Sequence, residues 1–247
     1  MSARKNRTTR LFVDRDLSGD TLPLDGDEAH YLVHVLRLQR GNELIAFNGR
    51  GDERHAIVSA LQRRGAVLEL RAEHAALPES LLGLTLVQAL PKSDAMDLIV
   101  QKATELGVRT IVPVYSEFSV VRIDADRLDR RVEHWRRISQ SACEQCGRHA
   151  PPKIVVPAAL NDALRELPSD VAKLALDPAA EGRLAAAPHP ANGIVLAIGP
   201  EGGFAPSDWQ QLDTASFARA TLGPRVLRAE TAAITACAIA QAQWGDL

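Results

Sequence analysis

The chain has 247 residues, 46% hydrophobic and 24% charged, with a net charge of −2. These values sit near the averages for globular proteins and exclude a disordered chain, a collagen-like repeat and a coiled-coil rod. No apolar run reaches the roughly 20 residues that a membrane-spanning helix needs. The start, Met1–Arg10, is polar and basic without the apolar centre of a secretory signal. Three cysteines make no disulfide framework, so a cytoplasmic compartment is expected.

The first segment reads as small and β-rich. Leu11–Val13 is a short strand. Tyr31, Leu32, Val35, Leu36 and Leu38 fall at helical spacing within Asp27–Leu38, and Gly41 stops that helix. Glu43–Phe47, Glu53–Ala60 and Ala66–Arg71 follow as strands, and Asn48-Gly49 between the first two reads as a tight hairpin turn, because both residues tolerate positive φ. A compact barrel-like domain over residues 1–77 is expected. Glu73–Ser80 reads as a linker, with the domain boundary near residue 78.

The remainder, 78–247, alternates strands and helices. Leu84–Leu90 is a strand, and Ser93 is the expected cap of a helix carrying Met96, Ile99, Val100, Ala103 and Leu106, ended by Gly107. Thr110–Val114 is a strand, and Asp126 to about Cys146 is a long amphipathic helix. Val171–Leu176, Ile194–Ile198 and, more weakly, Ser216–Leu222 are strands, before the Ala-rich helix Ala229–Trp244. This alternation predicts an α/β domain with a parallel sheet covered on both faces.

In such a sheet, ligands bind beyond the C-terminal ends of the strands. Two loops hold that position. The strand Ile194–Ile198 runs into Gly199-Pro-Glu-Gly-Gly203, whose glycines let backbone approach a ligand closely. The segment Leu222-Gly-Pro-Arg-Val-Leu-Arg-Ala-Glu-Thr231 turns at Gly223-Pro224 and brings Arg225, Arg228 and Glu230 to the start of the last helix. Neither loop has the spacing of a dinucleotide fingerprint or a P-loop. Cys143-Glu-Gln-Cys-Gly-Arg148 contains a Cys-x-x-Cys, but no second pair completes a zinc site and no thioredoxin-like context surrounds it. Packed thiols at a helix end fit better, with Glu144, Gln145 and Arg148 as a polar cluster, and no metal is expected.

Four stretches together resemble the bacterial small-subunit (16S) rRNA uridine N3-methyltransferases, RsmE-like members of the SPOUT class. They are Tyr31–Leu38, Gln101–Gly107, Glu144–Arg148, and Gly199–Gly203 with Leu222–Thr231. The resemblance runs in order over nearly the whole chain. It implies an N-terminal PUA-like β-barrel for RNA (1–77) and a SPOUT methyltransferase domain (78–247) whose parallel sheet ends in a trefoil knot. It implies S-adenosyl-L-methionine as cofactor, held by Leu176, by Gly199, Pro200, Glu201, Gly202 and Gly203, and by Leu222, Gly223, Val226, Leu227 and Arg228. It implies a homodimer with the active site at the subunit interface, and 16S rRNA, within the small ribosomal subunit, as substrate. A uridine N3 must lose its proton, so a base or an anion-stabilising cation is required; Glu144, Arg148, Arg228 and Glu230 are the unranked candidates. Arg7, Arg10, Arg37, Lys92 and Lys102 are expected to contact RNA phosphates. Two positions depart from the family pattern: Phe118 stands where an Arg is usual, and Ala205 where Ser or Thr caps the next helix. A SPOUT methylase acting on tRNA or on ribose, or a non-catalytic RNA-binding protein, are the competing readings.

Overall fold

The computed structural model describes residues 8–63, 65–92 and 94–247. Arg7 and Ser93, singled out above, lie outside them. The chain divides into two compact units. One holds the N-terminal segment to Glu79 together with Cys143–Pro151; the other holds Ser80–Ala142 and Pro152–Leu247.

The first unit contains β1 (Arg10–Phe12), β2 (Thr21–Asp25), α1 (Gly26–His30), β3 (Glu43–Phe47), β4 (Glu53–Gln62) and β5 (Gly65–Glu73). Their order is β1-β3-β4-β5-β2, with β1 parallel to β3 and the remaining pairs antiparallel. Leu11 and Val13 at one end of this order share one core with Leu22 and Leu24 at the other, together with Leu44, Val58 and Leu68. The sheet therefore curls around a single apolar filling, as a PUA-like domain does, although β1 and β2 remain its two ends.

Three local expectations change. The strand β2 was not anticipated: Pro23 breaks the apolar run, and it is tolerated because β2 is an edge strand. The helix after it is α-helical only to His30, and Tyr31–Val35 forms a π-helical turn. The β3–β4 connection is a wider loop than Asn48-Gly49 implied. Asn48 keeps a negative φ and is buried, its Oδ1 accepting the Arg50 N–H at 2.9 Å and its Nδ2 donating to Asp52 Oδ2 at 2.7 Å.

The second unit runs β6 (Leu84–Ala89), α2 (Ala95–Glu105), β7 (Thr110–Tyr115), α3 (Ala125–Cys146, whose last turn from Cys143 groups with the first unit), β8 (Lys153–Ile154), β9 (Ala158–Ala159) and α4 (Leu160–Arg165). It continues with β10 (Ala172–Leu176), β11 (Ile194–Ile198), α5 (Pro206–Thr214), β12 (Ala218–Ala220) and α6 (Ala229–Trp244). All pairings are parallel, in the order β12-β10-β11-β6-β7-β8, with β9 also on β7. Period-two alternation sends Leu84, Leu86, Ile194, Leu196 and Ile198 to one face, against Met96 and Ile99 of α2, Val132 and Trp135 of α3, and Ala233 and Ala236 of α6. Val87, Ala89, Val195 and Ala197 face the other side, against Leu160 and Leu164 of α4 and Leu212 of α5. Both faces are thus covered, which explains why β11 is apolar at every position. Among the described residues, no helix is long and apolar enough to cross a membrane.

Helix α5 shows how the missing Ser or Thr is replaced. Ala205 sits at the N-cap with extended backbone and Pro206 follows. Buried Asp208, at the third helical position, accepts the Ala205 N–H at 2.9 Å and the Glu117 N–H at 3.2 Å. A carboxylate in the first turn also suits the helix dipole. Asp208 thus does what a Ser or Thr at the cap would, while the Ser207 hydroxyl donates to Glu117.

Candidate functional site

A cavity of about 260 Å³ opens at the C-terminal ends of β10, β11 and β12. Three segments wall it: Leu176–Pro178 after β10, Ile198–Gly203 after β11, and Ala220–Gly223 with Arg225–Leu227 after β12. Ala229 and Ala232 of α6 close the floor. A helix N-terminus, two glycine-bearing loops and apolar strand ends converge here. Such a site offers backbone donors and acceptors to a planar heterocycle and a polar tail, with few side chains in the way.

The walls need glycine for a steric reason. A Cβ on Gly199 would sit 2.9 Å from the Gly203 carbonyl carbon, closer than real Cβ atoms approach. The loop doubles back on itself there, closed by the Gly203 N–H donating to the Pro200 carbonyl at 2.9 Å. Gly203 has φ +73°, while Gly202 does not lie in the left-handed region. A Cβ on Gly202 would meet the Phe118 side chain at 3.3 Å. Glu201 is anchored too, its Oε1 accepting the Lys92 N–H at 2.9 Å.

Ten of the eleven residues that the sequence assigned to the cofactor line this cavity: Leu176, Gly199, Pro200, Glu201, Gly202, Gly203, Leu222, Gly223, Val226 and Leu227. Arg228 does not. It is the N-cap of α6 and its side chain is exposed. Sequence reasoning missed Asp177, Thr221, Arg225 and Ala229, which do line it. The resemblance implied the others; position after a parallel strand end, taken alone, also reaches Asp177. That carboxylate is held in place: its Oδ1 accepts the Ala179 N–H at 2.9 Å, and its Oδ2 pairs with Arg219 at 3.4 Å.

The four candidates for proton handling divide between the units. Arg228 and Glu230 flank Ala229 at the cavity, and among the described residues neither makes an ion pair. Glu144 and Arg148 belong to the first unit and are committed there. Glu144 accepts the Phe12 N–H at 2.9 Å and the Tyr31 hydroxyl at 2.7 Å, which caps the edge strand β1. Burial raises its pKa, and the two donors and Arg10 offset this only in part. Arg148 pairs with Glu79 at 2.6 Å.

The RNA candidates fare unevenly. Arg10 must be withdrawn. Its guanidinium is buried, bidentate on Glu53 at 2.6 and 2.8 Å, stacked on Phe47 at 4.4 Å, and donates to the Arg148 carbonyl at 3.2 Å. Burial pushes the Glu53 pKa up, but Arg10 and His74 outweigh it and hold the carboxyl below its ordinary value. Arg37 and Lys92 are exposed, and Lys102 is paired with Glu105 at 2.8 Å. The thiols of the Cys-x-x-Cys pack inward. Buried Cys143 is pushed up by a hydrogen bond with Cys146 and by burial, and no metal-ligating cluster exists among the described residues.

Comparison with known proteins adds the decisive observation. A model of the RNA methyltransferase domain matches residues 78–241, and a model of the RNA methyltransferase PUA domain matches residues 24–71. The chain is 35% identical over 239 residues to ribosomal RNA small subunit methyltransferase E of Aquifex aeolicus, covering 93% of this chain and 97% of that one. This chain belongs to the ribosomal RNA small subunit methyltransferase E family. The enzyme of that family from Neisseria gonorrhoeae, solved bound to S-adenosyl methionine, superposes with a TM-score of 0.90 at 35% identity, covering 98% and 100% of the two chains. A methyltransferase of Legionella pneumophila, solved with SAM bound, gives 0.92 at 35% identity, with the same coverage. Phe118 is half exposed and lies against Gly202, so it offers an apolar surface beside the glycine loop.

Proposed function

We propose that this chain transfers a methyl group from S-adenosyl-L-methionine to N3 of a uridine in 16S rRNA. The observation that carries the reading is the cavity beyond β10, β11 and β12, whose glycine wall a single Cβ at Gly199 would disrupt, in a chain of the methyltransferase E family. When bound, the cofactor supplies an electrophilic methyl group on a positively charged sulfonium. The residues present fit it: backbone of Gly199–Gly203 and Leu222–Leu227 for the heterocycle, apolar Leu176 and Ile198 beneath it, and the carboxylates of Asp177 and Glu201 in the walls to favour a cation.

The protein's own contribution is alignment, exclusion of water and management of one proton. N3 of uracil lies on the pairing edge, so the base must be unpaired or flipped. We assign acceptance of its proton to the Glu230 carboxylate and stabilisation of the resulting uracil anion to the Arg228 guanidinium, the candidates beside the cavity; Glu144 and Arg148 instead hold the first unit together. The first unit, the segment to Glu79 with Cys143–Pro151, grips RNA, and the second, Ser80–Ala142 with Pro152–Leu247, is the methyltransferase domain, whose post-strand loops carry the family's trefoil knot. Arg37, Lys92 and Lys102 contact phosphates. The chain works as a cytoplasmic homodimer on the small ribosomal subunit.

The test offers labelled S-adenosylmethionine with isolated small subunits, naked 16S rRNA and tRNA side by side. Label in 16S rRNA, stronger on the subunit and rising with pH as the uracil proton is more easily lost, supports the reading. Label in tRNA alone, or in no RNA, defeats it.

A further inference from the structure

Where α1 and its π turn end, the Leu36 N–H donates to the Tyr31 carbonyl at 2.9 Å and the Leu38 N–H to the Leu32 carbonyl at 3.1 Å. The second bond reaches back six residues, one more than the five of a Schellman helix end, as the wider π turn requires, and buried Leu32 and Leu38 share one core. The residue that such an end places in the left-handed region is Arg37, with φ +55°. That position favours glycine, because a Cβ there crowds the carbonyl. This chain uses glycine at the ends of α2 and α3, with Gly107 at φ +76° and Gly147 at +95°. The other non-glycine among the described residues is Ser216 at +65°, a small side chain after α5.

Arg37 is exposed and, among the described residues, its side chain makes neither an ion pair nor a hydrogen bond to offset its backbone cost. Around it the chain carries no acid between Glu28 and Glu43. His30, His34 and Arg40 are exposed in the same stretch, the two histidine rings 4.5 Å apart, and Val35 is 57% exposed beside them. π-helical turns gather at functional sites, and residues held in sparsely populated backbone regions persist where something other than folding retains them.

We infer that the π-turn end, with Arg37 at its tip and Arg40 beside it, is the RNA-phosphate grip of the first unit, kept at the expense of local stability. The inference rests on the proposed function and names the element that holds the substrate backbone. Arg37→Gly relieves the left-handed strain while removing a cation. It is expected to raise Tm by about 2 °C. In the same variant, affinity for 16S rRNA transcribed in vitro should fall about tenfold at 0.1 M salt, with the log–log salt slope flatter by about 0.7–0.9. Arg37→Lys, which keeps charge and strain, should retain affinity and gain no Tm. Arg40→Ala should flatten the slope without changing Tm. A stabilised Arg37→Gly that binds RNA with unchanged affinity and slope overturns the inference, as does one that loses affinity with no gain in Tm. Wild-type protein that fails to bind 16S rRNA overturns instead the function on which the inference rests.

Discussion

Buried Glu53 and half-buried Glu144 are carboxylates with opposite pH signatures. Arg10 and His74 hold Glu53 below its ordinary pKa. The folded state then binds fewer protons than the unfolded chain, so this contribution is present above the unfolded value of about 4.3 and is lost as pH falls through the folded one. Glu53→Gln leaves Arg10 buried without its counter-charge. It should cost about 3 kcal/mol at pH 7, with the deficit shrinking in acid, as read by chemical denaturation across pH. Burial raises Glu144 instead, so its contribution is full below the unfolded pKa and declines as pH rises through the folded one. Glu144→Gln should gain on wild type as pH rises and should retain methyl transfer; loss of transfer in a folded variant would return Glu144 to the chemistry. Glycine positions separate in the same way. A Cβ has no room at Gly199, whereas at Gly202 it need only displace Phe118. Gly199→Ala should therefore lose most cofactor affinity in calorimetry, and Gly202→Ala much less.

Helix α5 places its demand on one side chain. With Ala205 at the N-cap, Asp208 alone among side chains satisfies the Ala205 N–H and also reaches the Glu117 N–H. Asp208→Ala strands the buried Ala205 N–H and removes the partner of the less buried Glu117 N–H, and should cost about 2 kcal/mol in chemical denaturation; a change under half that would show that other groups cap the helix. Elements with strong local patterns were legible from sequence. Ile194–Ile198 is apolar throughout and Ala229–Trp244 is uniformly helix-forming, and both have the expected ends. Elements that draw their stability from neighbours were not. β8 and β9 are two residues each and exist because β7 offers an edge. β2 is hidden by Pro23, and the π turn differs from an α turn by one residue per hydrogen-bonded ring, which periodicity over so short a span does not resolve. The cavity was legible for a general reason: loops after parallel strands sit together whatever their sequence. The commitment of Glu144 and Arg148 was not, because Phe12, Tyr31 and Glu79 lie 65 or more positions away in the chain.

At the scale of the molecule, residues far apart in sequence share one unit: Cys143–Pro151 groups with the N-terminal segment, although residues 152 onward return to the second unit. The Ala-rich face of α6 is largely spent within its own unit, where Ala233, Ala236 and Ala240 pack in the core. Val226, 82% exposed in the cavity wall, and Phe118, 46% exposed on the glycine loop, are better placed for a two-fold partner to cover. Light scattering at micromolar concentration should give a dimer, and Val226→Glu should shift it toward monomer with loss of activity; a wild-type monomer that methylates RNA contradicts the shared site.

The central claim is the product. Small subunits are incubated with this protein and S-adenosylmethionine, and the 16S rRNA is digested to nucleosides and resolved by mass spectrometry against standards. The account predicts one new methyl group per subunit, on N3 of uridine. A methyl group on carbon or on a ribose oxygen, or rRNA left unmodified, would contradict it.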